Sequence, residues 1–435
     1  MYDQTYAAFM HDARHIDLGD SPDTVHSRNQ VKANLMSLAN GVSYLAIPGP
    51  SVMPDRVLRE MNRVCSNIYE GDLVDMTFAM LPDLKAVART RHHVAIYIAN
   101  GHGTWEASLS NMVNRGDRVL VLATGRFGHG WAEMAQKMGI QADILEFGNS
   151  ATYDPEVIRK ALAKDTEHRY KAILVTHVDT SSSVKNDVKA VRDIMDDLNH
   201  PALLAADCVA SMGCDRFEMD DWGVDVAIAA SQKGLMVPPG LGFVFFSDKA
   251  AERQKHLEII SPYWDWVPRA NPEMFYQLFC GTAPTQHLHG LRVALDMIHE
   301  EGIENTWARH SALAKALWAA IDVWGQDGGT LRMNISDPNL RSNAVTSVHI
   351  GAPLGTELRQ WVEANMGITL GIGLGMSTPE DPNGDGFFRF GHMGHVNGQM
   401  MLGVIGSVEA ALCALDAPHG RGAVDAAAQV LADLA

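Results

Sequence analysis

From Tyr44 onward, short apolar runs recur along the chain, and most are followed by a stretch of helical periodicity. The runs are HVAIYIA (93–99), RVLVLAT (118–124), ADILEF (142–147), KAILVTH (171–177), PALLAAD (201–207), VDVAIAA (224–230) and GFVFFS (242–247). Most are continuous rather than alternating, the pattern of strands covered on both faces. In TWEASLSNMVNRG, Trp105, Leu109 and Val113 recur four apart and Gly116 marks a stop; DVKAVRDIMDDLN is a second amphipathic stretch. This alternation predicts an α/β fold, with a mostly parallel seven-stranded sheet flanked by helices. After about residue 290 the texture changes. A long helical stretch, NTWARHSALAKALWAAIDVWG, precedes two strand candidates, AVTSVHIG and FFRFGHMG, and the closing GRGAVDAAAQVLADLA suits a terminal helix. The expected division is an N-terminal arm (1–43), a large domain (44–291) and a smaller C-terminal α+β domain (292–435).

Composition narrows the function classes. The 435 residues exceed one ordinary core. Net charge is −17, from 52 acidic and 35 basic side chains, and no block of Lys or Arg stands out. Nucleic acid and membrane surfaces are therefore not the expected partners. No apolar run approaches the roughly 18 residues that would span a bilayer. The opening MYDQTYAAFMHDARHIDLGD lacks a basic segment followed by an apolar one, so it does not read as a secretory signal. Five scattered cysteines suggest no disulfide framework. The expectation is a cytoplasmic protein without a metal site.

In an open parallel sheet, ligands bind beyond the carboxyl ends of the strands. The first run ends in NGHGTWE, where Gly101, His102 and Gly103 open a helix. They read either as an anion cradle or as a tight strand–helix turn. The second run ends in TGRFGHG, where Phe127 is placed to cover a flat ring or simply to be half-buried. The fourth leads into THVDTSSSV, a polar pocket or a hydroxyl-rich loop. The fifth ends at Asp207, which needs a partner if buried: a cationic ring nitrogen, a helix N-terminus or an ion pair. The sixth delivers Ser231-Gln232-Lys233, followed by Gly and Pro residues that turn the chain away and stiffen the loop. A desolvated lysine is a better nucleophile toward carbonyls. Taken together, these groups could surround one pyridine-type cofactor.

The segments IPGPSVMPDRVLREM, GHGTWEASLSNMVNRGDRVLV, THVDTSSSVKNDV, the long stretch from HPALLAADC to GLGFV, GTAPTQHLHGLRVALDMI and FFRFGHMGH resemble class V pyridoxal 5′-phosphate (PLP) aminotransferases of fold type I. The alanine/serine–glyoxylate group is the nearest, and the resemblance runs from about 44 to 415. It implies a PLP-dependent transaminase working by ping-pong half-reactions, with glyoxylate or pyruvate as acceptor. Lys233 would form the internal aldimine and shuttle the proton, Asp207 would hold the pyridine nitrogen, and Phe127 would stack on the ring. Gly101, His102, Gly103, Gln232 and Thr282 would serve the phosphate, Thr282 from a partner subunit. Thr180 or Ser181 would lie near the ring hydroxyl. Arg389 would clamp the substrate carboxylate with Gly49 nearby, and a homodimer with shared sites is implied.

Two departures stand out. The His-Arg pair that relatives often carry after Pro-Gly-Pro is absent, and the region reads NIYEGDLVD, so Tyr69 and Glu70 become candidates for reading a polar substrate group. Phe279 stands where relatives place a tyrosine. The competing readings are a class V lyase or desulfurase and a non-catalytic binding protein. A desulfurase needs a mobile catalytic cysteine, and the only late one, Cys413, is expected to be buried in a helix.

Overall fold

The computed structural model describes residues 37–434, so residues 1–36 of the expected arm lie outside it. Its strands are β1 (Tyr44–Ala46), β2 (His93–Ala99), β3 (Arg118–Ala123), β4 (Gln141–Glu146), β5 (Tyr170–Thr176), β6 (Leu203–Asp207), β7 (Val226–Ala230), β8 (Gly240–Phe246), β9 (Arg332–Met333), β10 (Val345–His349), β11 (Ile368–Ile372) and β12 (Phe387–Gly391). The seven apolar runs are β2 to β8, and they form one sheet in the order β2-β8-β7-β6-β5-β3-β4. β8 lies antiparallel to both neighbours, and the other pairs are parallel. Six carboxyl ends therefore share one edge. The continuity of the runs has a direct cause. In β3, Leu120 and Leu122 enter one core while Val119 and Val121 enter another on the opposite face. Both faces of the pleat are apolar because both are covered.

The helix Gly101–Met112 ends sooner than its periodicity suggests, because Val113 is already extended (φ −140°, ψ 147°). Gly116, at φ +88°, instead shapes the turn into β3.

The second sheet has the order β1-β11-β12-β10-β9 and is antiparallel except for β1 beside β11. Tyr44–Ala46, grouped by sequence with the large domain, thus adds a strand to the smaller sheet, and Ala46 shares a core with Leu317, Trp324, Phe388 and Val404. The change of core falls at Gly302 (φ +85°). Before it, the helix Thr285–Glu301 sends Leu288, Leu291 and Leu295 into the first core. After it, the helix Ile303–Trp324 sends Leu313, Leu317 and Ile321 into the second. Among the described residues, no helix is long and apolar enough to cross a membrane.

Candidate active site

β7 and β8 pair antiparallel, so the loop between them turns the chain back on itself rather than away. Ser231 fastens that loop. Its N–H donates to the Leu241 carbonyl at 2.9 Å, and its hydroxyl donates to the Pro238 carbonyl at 2.6 Å. Gly234 is obligatory here, since a Cβ would lie 2.2 Å from the Met212 carbonyl oxygen. Lys233 is carried into the interior, where its amine donates to the Pro48 carbonyl. Gly49, at φ +94°, makes room for it: a Cβ there would lie 2.5 Å from Nζ. The Ser51 hydroxyl holds the Lys233 carbonyl at 2.7 Å. Burial, helped by the charge of Arg389 and opposed by Asp207, lowers the Lys233 amine to about 8. A usable fraction is therefore neutral and nucleophilic near physiological pH.

Asp207 ends β6 beside β7 and is buried. Its Oδ1 accepts from the Val209 N–H at 2.8 Å and its Oδ2 from the Trp105 indole N–H at 2.8 Å. Burial pushes the acid up to about 6 despite both donors. The helix-cap alternative is thus not what occupies this carboxylate, nor is a contacting ion pair.

Gly101 to Gly103 open the helix Gly101–Met112 at the same edge, but their free N–H groups are partly taken. The Asn100 side chain accepts from His102 N–H at 3.1 Å and Gly103 N–H at 3.3 Å. An incoming anion would share them with this cap. Gly103 has a packing duty as well, since its Cβ would lie 2.7 Å from that of Ala99. Phe127 sits in the first turn of the helix Arg126–Lys137, edge-on to Trp105 at 6.2 Å. That turn is capped by buried Asp179, which accepts from Phe127 N–H at 2.8 Å and Gly128 N–H at 3.2 Å. Ser181 is bound to the same carboxylate, its hydroxyl donating at 2.5 Å. Its neighbours are similarly committed: Ser183 accepts from Ser347 N–H, and His177 meets the Ser211 hydroxyl at 2.9 Å. The hydroxyl-rich stretch is mostly a self-satisfied loop, whereas the Thr180 hydroxyl has no protein partner among the described residues.

Arg389 reaches this loop from β12. Its Nε donates to the Ile372 carbonyl at 2.7 Å and Nη1 to the Thr180 carbonyl at 2.8 Å. Burial lowers the guanidinium to about 10, so it stays cationic at neutral pH. Two neutral carbonyls fix its orientation without quenching its charge, and Nη2 is left over for a carboxylate. The Gln232 side chain is a second uncommitted group, with a buried Oε1 that has no partner.

Three candidates stand apart from this centre within the chain. Thr282 is exposed, and Tyr69 is 86% exposed with Glu70 beside it; no contact joins any of them to Lys233, Asp207 or Arg389. Phe279 is buried among Phe275 and Leu278 in the first core, so the missing phenol is replaced by packing. Cys413 is exposed, contrary to expectation: it lies on the outer face of the helix Gly398–Ala414, 3.2 Å from Arg421 Nη1 and in no contact with Lys233. Reading by sequence missed Trp105 and Asp179. Trp105 was visible only as a member of an apolar helical face, and Asp179 only as one polar residue in a polar run.

The family profile described as aminotransferase class V matches residues 43–379. The chain belongs to the class V aminotransferases. This aminotransferase is 36% identical to a serine–glyoxylate aminotransferase of Methylorubrum extorquens, covering 86% of this chain and 91% of that one. It is 32% identical to an L-aspartate–glyoxylate aminotransferase of Paracoccus denitrificans, covering 88% and 94%. Its fold superposes on a ureidoglycine–glyoxylate aminotransferase of Bacillus subtilis with a TM-score of 0.80 at 26% identity, covering 90% and 98%. The likeness spans both sheets.

Proposed function

We propose that this aminotransferase works with PLP and moves an amino group from a small amino acid to a 2-oxo acid, with glyoxylate favoured and pyruvate second. The observation that carries the reading is the pair at neighbouring strand ends: a buried amine lowered to about 8 and a buried acid raised to about 6, with no ion pair between them. The residues suit the group. Gly49 leaves space at the amine, Gln232 has an unpartnered Oε1, and Asp207 has lone pairs left for a ring N–H. When bound, PLP supplies the electron sink for negative charge at the substrate α-carbon. Lys233 Nζ would hold its aldehyde carbon and, once displaced by the amino donor, would carry the α-proton to that same carbon. Asp207 keeps a proton on the ring nitrogen. Phe127 covers one ring face, and Gly101, His102, Gly103 and Gln232 hold the phosphate, with Thr180 or Ser181 at the ring hydroxyl. Arg389 would hold the substrate carboxylate through Nη2.

The relatives named for glyoxylate support that acceptor, and their donors differ in name from serine to aspartate. The donor of this chain therefore depends on residues outside the shared centre, of which Tyr69 and Glu70 are the candidates. Exposure of Thr282, Tyr69 and Glu70, beside apolar side chains such as Val64 (89% exposed) and Ile259 (87%), supports a homodimer in which each copy completes the other's site. Five free cysteines support a reducing compartment, and the cytoplasm is the compartment we propose. A panel of amino donors against glyoxylate, pyruvate and oxaloacetate tests the reading. The PLP-loaded protein should be yellow, lose its colour with the true donor and regain it with the acceptor. No colour, or colour that no donor bleaches, overturns it.

A further inference from the structure

We propose that Trp105 is a positioning residue for the reaction, holding the Asp207 carboxylate in one rotation and in its ionised form. The inference rests on the reading above, in which Asp207 faces a ring nitrogen. The two residues are 102 positions apart, one in a helix and the other at a strand end, and the fold brings the indole N–H to 2.8 Å from Oδ2. Among the described residues, no other hydrogen bond reaches that oxygen. Among the described residues, Oδ1 accepts only from the Val209 N–H, which belongs to the turn after the strand and would follow the carboxylate in any case.

An indole N–H donates and cannot accept. It bonds a bare carboxylate oxygen and gains nothing from an acid O–H, so it favours the ionised form. The charged groups around Asp207 do not make Trp105 redundant. Asp179 repels the ionised form and Lys233 attracts it, while burial outweighs both. The indole is also fixed. It is 3% exposed and stacked on Trp131 at 6.3 Å and 12°. His102 meets it edge-on at 4.7 Å, and Gly130 closes the far side, where a Cβ would lie 3.1 Å from the ring. A donor locked by packing restrains its acceptor, as a supporting shell restrains a reacting group.

The test is Trp105→Phe, which keeps an aromatic ring and deletes the donor. In the PLP-loaded enzyme, kcat should fall roughly 10-fold while KM for the amino donor stays within about 2-fold. The second readout is the apoprotein. Asp207 has a folded value near 6, above the 3.8 of a free aspartate, so its share of stability is lost as pH rises through that window. Without the donor the loss extends to higher pH. The denaturation midpoint of Trp105→Phe should therefore fall further below wild type at pH 8 than at pH 5.5. In an Asp207→Asn background the same substitution should give one difference at both pH values. A purely structural tryptophan gives equal differences in both backgrounds, and that result, or an unchanged kcat, overturns the proposal. A wild-type chain that neither takes up PLP nor turns over overturns the functional reading itself, whatever the apoprotein shows.

Discussion

The two edges of the seven-stranded sheet treat charge in opposite ways. At the amino edge, charges are matched. Arg118 Nη1 donates to both oxygens of Asp143 at 2.8 and 2.7 Å, and the Tyr170 hydroxyl adds a third bond at 2.8 Å. Burial raises Asp143, but these partners outweigh it and hold the acid below the ordinary carboxylate range. Asp225, just before β7, is likewise met by Ser247, Lys249 and the Leu204 N–H. At the carboxyl edge, Lys233, Asp207 and Arg389 each hydrogen-bond to neutral groups, and the charges near them are not in contact. All three shift toward their neutral forms. An edge with satisfied charges stabilises the fold, whereas an edge with unsatisfied ones is destabilising until a ligand of complementary charge arrives.

The sharpest way to break this contrast is Lys233→Met, which keeps the volume and removes the amine. Transamination should fall by about 10³-fold or more, and the apoprotein Tm should rise, because a desolvated amine has been removed. A lower Tm by calorimetry would mean that the carboxyl edge is held together as the amino edge is.

A smaller effect concerns pH. Three histidines are buried and neutral: His177 and His310 are lowered to about 3, and His392 to about 4, in each case chiefly by desolvation. Their folded values lie below the free value, so the unfolded chain binds their protons first. Stability should be intact above about pH 6.5 and decline below it, by up to about 1.4 kcal/mol per pH unit for each histidine. Denaturant midpoints between pH 7.5 and pH 5 check this. His310→Gln should flatten the slope, because it removes one proton-binding site; a slope unchanged by it would sink the account.

The smallest effect is expected at the other edge. Asp143→Asn should cost about 1 kcal/mol or less, since the carboxylate is partly exposed, and should leave kcat and KM unchanged. A loss of activity there would show that the two edges are coupled through β3 and β5.

Much of the carboxyl edge was legible because its signals are local. An apolar run ending in Asp207 or in Ser231-Gln232-Lys233 states both the strand and what the strand delivers. What escaped depends on partners distant in sequence. Asn100 competes for the N–H groups of Gly101 to Gly103 only because the helix starts where it does. Asp179 looks like one more loop residue until the turn at Phe127 folds onto it. Cys413 lies in an apolar stretch whose helix nonetheless turns it outward.

Sequence alone determined the seven strands of the larger sheet, their burial on two faces and the identities of the lysine and the acid, because periodicity and residue type are properties of a short segment. The tertiary structure decided the rest. It sent Tyr44–Ala46 to the smaller sheet and returned β8 antiparallel beside β7. It also put the Trp105 indole on the Asp207 carboxylate. Each of these is a contact between segments far apart in the chain, fixed by which apolar surfaces close on one another rather than by any local pattern.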